Sequence, residues 1–280
     1  MDKFIPVKIT DKQWAHKLLD GEVFMRPLYE FGSWGVNDAD TTVKNLFRGD
    51  KREGTTAVFE NPRNCDALKD LAPEFIDIVR RVYYVDDDDI PYFKIFSLYC
   101  MEYDPVRDFF YKPDPRMKEF GDTAVIIRDF NEFLERYAKA LFSKYEYICS
   151  MLDRVSFYDY SDTKHVNPLF SKSKRYSYQN ELRLAFTEIE HDRFARGEHA
   201  EEAMSMVRNL DRITLQIGDI RDIAYELPID DFLELKLNMP LRFPMRESGQ
   251  VPSNFDNVVQ FTKEQMKNYR SRLVRVTVET

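Results

Sequence analysis

The chain is poor in the residues that usually announce metal or thiol chemistry. Its three cysteines, Cys65, Cys100 and Cys149, stand far apart and are odd in number. They give no metal-ligand spacing and point to ordinary buried thiols in a reducing compartment. The four histidines include no i, i+4 pair on one helix, so no zinc site is expected. The aspartate run at 86–89 lacks the glycine and spacing of a calcium loop and reads as a solvated turn. The opening stretch "MDKFIPVKITDKQW" has no apolar core of the kind that makes a secretory signal. No run approaches the roughly 20 apolar residues that span a bilayer. No internal repeat, low-complexity tract or linker is visible. The expectation is a cytoplasmic protein with no metal and no membrane partner.

What the chain has in quantity is apolar and aromatic side chains, 43% and 14% of its 280 residues. That is enough to bury a sizeable core and argues against global disorder. A net charge of -8 argues against a generally basic surface, while leaving room for a local basic groove. Periodicity predicts a short helix over 11–20, with Trp14 and Leu18 inward and Gly21 as its stop. "EVFMRPLYEF" reads as a strand broken by Pro27. Further strands are expected over 92–99, 123–128, 155–160 and 180–187. A helix from about 129 to 146 is capped by Asp129 and packs through Phe130, Phe133, Leu134, Tyr137 and Leu141. "RITLQIG", "DFLELKL" and "RLVRVTVET" read as strands too. Without regular βαβ alternation the class is α+β, a single mixed domain over 1–280 with a central, largely antiparallel sheet flanked by helices.

The most informative stretch is "YSYQNELRLAF", residues 176–186. In a strand, side chains at i, i+2 and i+4 share a face. Gln179, Glu181 and Arg183 would then line one face as a polar pocket, with Leu182, Leu184 and Phe186 buried behind. The second charged element, "LFRGDKREG", holds Arg48, Asp50, Arg52 and Glu53 between Gly49 and Gly54. Those glycines let a loop bend its charges inward. The functional reading bends these charges into the same cleft as Glu181; the plain one is a charged hairpin or surface loop.

Four stretches, "LFRGDKREG", "FKIFSLYCMEY", "FGDTAVIIRD" and "LFSKSKRYSYQNELRL", stand in an order that resembles DUF2971, a family of bacterial and phage proteins. The likeness covers about residues 20–225 and leaves 226–280 as an extension; because it takes in both charged elements, it implies that a residue of 48–53 approaches Glu181 or Arg183, with Asp50 or Glu53 paired to Arg183 as the expected form. Its most specific element is a lysine followed by Trp-x-Tyr-Glu-x-Glu-x-Arg. Here Tyr176 replaces the tryptophan and Gln179 the first glutamate, and the family's Met-Trp motif is absent after Met101. Gln179-Asn180-Glu181 is also similar to the Gln-x-Glu signature of ADP-ribosyltransferases. That resemblance implies NAD as cofactor and a toxin or phage-defence setting. Glu181 would stabilise the sugar cation as nicotinamide leaves, Gln179 would place the acceptor, and Arg26 or Arg48, with Arg183, would hold NAD.

Three other readings stand beside it. The charged cleft can be a non-catalytic module for a nucleotide, a peptide or another protein of phage–host conflict; the partner of the chain is expected to be a protein or nucleic-acid target. Asp159 or Asp162 followed by Glu181-Leu182-Arg183 mimics a metal-dependent nuclease. That mimicry fails at the last position, since arginine stays charged and is a poor proton shuttle. Finally, Glu181 and Arg183 can be a structural ion pair, because alternating charges are common on strands.

Overall fold

The computed structural model describes residues 3–31, 53–59, 81–86, 92–104, 106–145, 148–158, 167–188, 207–237 and 274–279. In chain order the strands are β1 (Lys3–Thr10), β2 (Glu22–Pro27), β3 (Thr55–Phe59), β4 (Arg81–Asp86), β5 (Lys94–Asp104), β6 (Phe109–Phe110), β7 (Thr123–Ile127), β8 (Ile148–Arg154), β9 (Ser156–Tyr158), β10 (Ser171–Ser173), β11 (Glu181–Glu188), β12 (Ile213–Gln216), β13 (Ala224–Pro228) and β14 (Val274–Glu279). The helices are α1 (Lys12–Leu19), α2 (Phe130–Lys144) and α3 (Ile229–Leu233). The class is α+β, with a large, mostly antiparallel sheet and helices against it.

β5 is the spine of that sheet. Along one edge it pairs first with β2, at Ile95 and Lys94, and then with β1, from Tyr99 to Tyr103. On its other edge lies β11, which in turn pairs with β8. β12 extends the sheet beyond β2, and β7 and β13 extend it beyond β1. β1 therefore leaves β5 after Val7, and α1 carries the chain across the fork to β2. The Cys100 N–H bonds Asn180 on the β11 side, so by alternation the Ser97 carbonyl points into the fork. There the Lys8 ammonium donates to it at 2.8 Å and lies 4.5 Å over the Phe96 ring. Gly21, at φ +93, ends α1 against Gly218, where a Cβ would fall 2.2 Å from a carbonyl oxygen.

Period two sorts the side chains. Phe96, Leu98 and Cys100 with Leu182, Leu184 and Phe186 face α1 and α2, joining Ala15, Leu18, Phe133, Tyr137 and Leu141 in one apolar cluster. α2 starts where expected, with the Asp129 carboxylate accepting from the Glu132 N–H at 3.0 Å. Burial pushes the Cys100 thiol up to about 12. On the opposite face, Tyr99 and Met101 pack with β1 and β7, while Ile95 and Ala185 pack with Leu169 and Phe170.

Several expectations need correction. Trp14, expected on the inner side of α1, is 46% exposed and stacks on Phe24. The strand placed over 155–160 in the central sheet is only β9 there, which pairs in parallel with β10 outside that sheet, while the strand that joins the sheet is β8, just upstream. The hand-over occurs at Val155, whose N–H bonds Glu181, while the Ser156 N–H bonds Phe170. "ICSMLDR" lacks apolar alternation, which hid β8. "DFLELKL" is no strand but falls on α3 and the turn beyond it. Pro228 precedes the helix, Asp230 and Asp231 sit in its first turn, and the strand is β13 just upstream. The remaining corrections, Gln179 and the face it was expected to share, belong to the site.

Candidate functional site: a buried ion cluster and the cleft beside it

β11 begins later than the alternation suggests. Lys174–Gln179 is a 3-10 helix, and Asn180 follows in the left-handed region at φ 36, ψ 55. Asparagine tolerates that conformation better than other non-glycine residues because its short side chain hydrogen-bonds locally. Here the Asn180 amide donates to the Cys100 carbonyl at 2.6 Å, and the Asn180 carbonyl accepts from the Cys100 N–H at 2.8 Å. The turn takes Gln179 off the strand, so it does not share a strand face with Glu181 and Arg183.

Those two do share one. Arg183 stands opposite Ser97 and Glu181 opposite Tyr99. The face is not an open polar pocket, however. Leu169, Phe170 and β10 cover it, leaving Arg183 1% and Glu181 5% exposed. β11 is thus buried on both faces.

The charges satisfy one another there. The Arg183 guanidinium reaches Glu181 through Nε at 2.7 Å and Glu53 through Nη2 at 2.6 Å. Its Nη1 donates to the Leu169 carbonyl at 2.6 Å. The Lys172 ammonium lies 2.7 Å from Glu181 and 3.6 Å from Glu53, and donates to the Gln179 side-chain carbonyl at 2.9 Å. The Ser97 hydroxyl donates to Glu181 at 2.5 Å. Two carboxylates and two cations make a neutral set, the condition under which buried charge is tolerable. Burial alone would push the Glu181 carboxyl up; Arg183 and then Lys172 more than reverse it and hold it well below the usual carboxylate range. Burial opposes the Arg183 charge in the same way, and Glu181 and Glu53 reverse that too, raising it above the usual arginine value.

The expected meeting of the 48–53 segment with Arg183 is present as the Glu53 pair. Arg48 and Asp50 lie outside the described residues, as do Asp159 and Asp162. Arg26 is described and is not brought to the cluster. It sits on β2, across β5 from β11, exposed, with its guanidinium 5.5 Å over the Phe24 ring. Lys172 is the member that sequence reading missed. It stood inside the "LFSKSKRYSYQNELRL" segment, but nothing in spacing showed that β10 would fold over β11.

Next to the cluster, at the N-terminal end of β11, opens a cleft of about 460 Å³. Tyr99, Tyr111, Phe157 and Tyr178 supply its aromatic surface, Arg154 and Lys112 its cations, and Glu102 and Asp114 its carboxylates. Ser177 and Asn180 add neutral polar groups, and Glu181 is not among its lining residues. The Arg116 guanidinium lies 3.8 Å over the Tyr178 ring and pairs with Asp114 at 2.7 Å. Lys112 pairs with Glu234 at 2.9 Å. The cluster touches this wall through Gln179, whose amide donates to the Tyr178 hydroxyl at 3.4 Å.

Among the described residues, no group of three or more His, Cys, Asp or Glu side chains is arranged to hold a metal ion. None of the described helices is long and apolar enough to cross a membrane. Compared with protein-family models, curated proteins and solved structures, the chain matches none.

Proposed function

We propose that the chain is a non-catalytic binding module whose cleft takes a small anionic ligand with a planar ring, in chemical class a nucleotide. One observation carries the reading: four aromatic side chains and two cations converge on one cleft. Aromatic faces stack on any base, for about 1–3 kcal/mol each. Guanidinium and ammonium groups answer phosphate. Ser177 and Asn180 offer hydrogen bonds to a ring edge or a sugar. The ion cluster behind contributes rigidity, because it ties β11, β10 and the Glu53 segment to the 3-10 helix that carries Ser177 and Tyr178.

In this reading Glu181 and Gln179 support the wall and do not meet the ligand. Titration calorimetry with adenosine monophosphate, guanosine monophosphate and NAD tests it. Tyr111 is 46% exposed, so Tyr111→Ala leaves the fold intact. That substitution is expected to weaken binding by roughly 5- to 150-fold, the loss of one stacking face. Absence of binding by all three at millimolar concentration overturns the proposal. Cleavage of NAD, or transfer from it, removes the non-catalytic part and returns the chain to the transferase class.

A further inference from the structure

The Arg154 guanidinium holds two oxygens through one nitrogen. Its Nη2 donates to the Glu102 carboxylate and, at 2.7 Å, to the Asn180 side-chain carbonyl. The two partners are not equivalent. Asn180 is fixed, with its amide on the Cys100 carbonyl and its backbone in the left-handed turn before β11. Glu102 sits near the end of β5, and its side chain keeps 37% of its surface in water, against 32% for Arg154. Both line the cleft, where the other charges, Lys112 and Asp114, have partners of their own in Glu234 and Arg116.

Resting on the nucleotide reading above, we propose that Arg154 is the anion-selecting residue of the cleft and that Glu102 is an internal competitor for it. Asn180 keeps the guanidinium aimed at the cleft while the Glu102 carboxylate stands where a ligand phosphate binds. A ligand carboxylate would exchange one monoanion for another and gain little. A phosphate, with up to two charges and three acceptor oxygens, displaces Glu102 at a profit. The cleft therefore selects phosphorylated ligands over their neutral counterparts, and Glu102 sets the threshold.

The test measures binding of adenosine monophosphate, adenosine and inorganic pyrophosphate to the full chain and to Glu102→Gln and Arg154→Met. Glu102→Gln keeps shape and removes the competing charge. It is expected to bind the monophosphate and pyrophosphate about two- to fivefold tighter, the worth of a solvent-exposed ion pair, with adenosine unchanged. Arg154→Met is expected to bind monophosphate and adenosine alike. Unchanged or weaker phosphate binding by Glu102→Gln overturns the exchange, as does retained phosphate preference in Arg154→Met. If pyrophosphate follows the expected order while neither adenosine compound binds, the exchange stands and only the nucleotide reading falls. If pyrophosphate does not bind either, both fall.

Discussion

Glu181→Ala measures what the buried cluster is for. The substitution removes one of two carboxylates facing Lys172 and Arg183, at 2.7 Å from each, and the acceptor of the Ser97 hydroxyl. The remaining set is two cations on one carboxylate, Glu53, and carries a net positive charge at sites 5% exposed or less. Breaking a buried pair from one side costs about 3–5 kcal/mol, because a charge is left without compensation. For chains of this size each kcal/mol moves the melting temperature by roughly 2–4 °C, so a fall of about 6–20 °C is expected. Differential scanning calorimetry, at neutral pH and moderate salt, reads it directly. Combined apolar replacement of the four charges, Glu53→Leu, Lys172→Met, Glu181→Leu and Arg183→Met, provides the second arm. It removes the uncompensated charge and should recover part of the loss, short of wild type because Leu169 and Gln179 lose their donors. A Glu181→Ala protein that melts within about 2 °C of wild type refutes the reasoning and frees Glu181 for a role in chemistry.

Acid should act through the same residue. The folded Glu181 carboxyl is held below its ordinary value, so the unfolded chain binds the proton first as pH falls. Stability is present above the unfolded value, about 4.3, and is lost as pH drops from there toward the folded value. Denaturant midpoints of Glu181→Gln should show a shallower decline over that window than those of wild type, and parallel curves would contradict this. Asn180→Ala forfeits both left-handed tolerance and the bond to Cys100, for roughly 1–3 kcal/mol by urea unfolding. Asn180→Gly relieves the backbone part of that loss but not the hydrogen bond, so a Gly variant no more stable than Ala would place the whole effect in the side chain.

The fold class, α2 with its Asp129 cap, and strands β5, β7 and β11 were legible from the sequence because each rests on local signals: apolar period, capping chemistry and strand length. The meeting of the 48–53 segment with Arg183, found as the Glu53 pair, was expected from the resemblance of the two segments and not from any local signal. Other features depended on contacts between distant segments. β8 has too little alternation to declare itself, and it is a strand because β11 offers it an edge. Gln179 leaves the strand because Asn180 turns left-handed against Cys100, a neighbour 80 positions away. Alternation places Glu181 and Arg183 on one face of β11, but it cannot say whether that face meets water. Leu169, Phe170 and Lys172 fold over it and turn what reads as a polar pocket into a neutral buried cluster. The cleft lies beside that cluster, among residues from β5, β8, β9 and the 3-10 helix. Side-chain types and periods are properties of neighbours along the chain; desolvation and charge compensation depend on which distant segments arrive, and only the tertiary structure decides that.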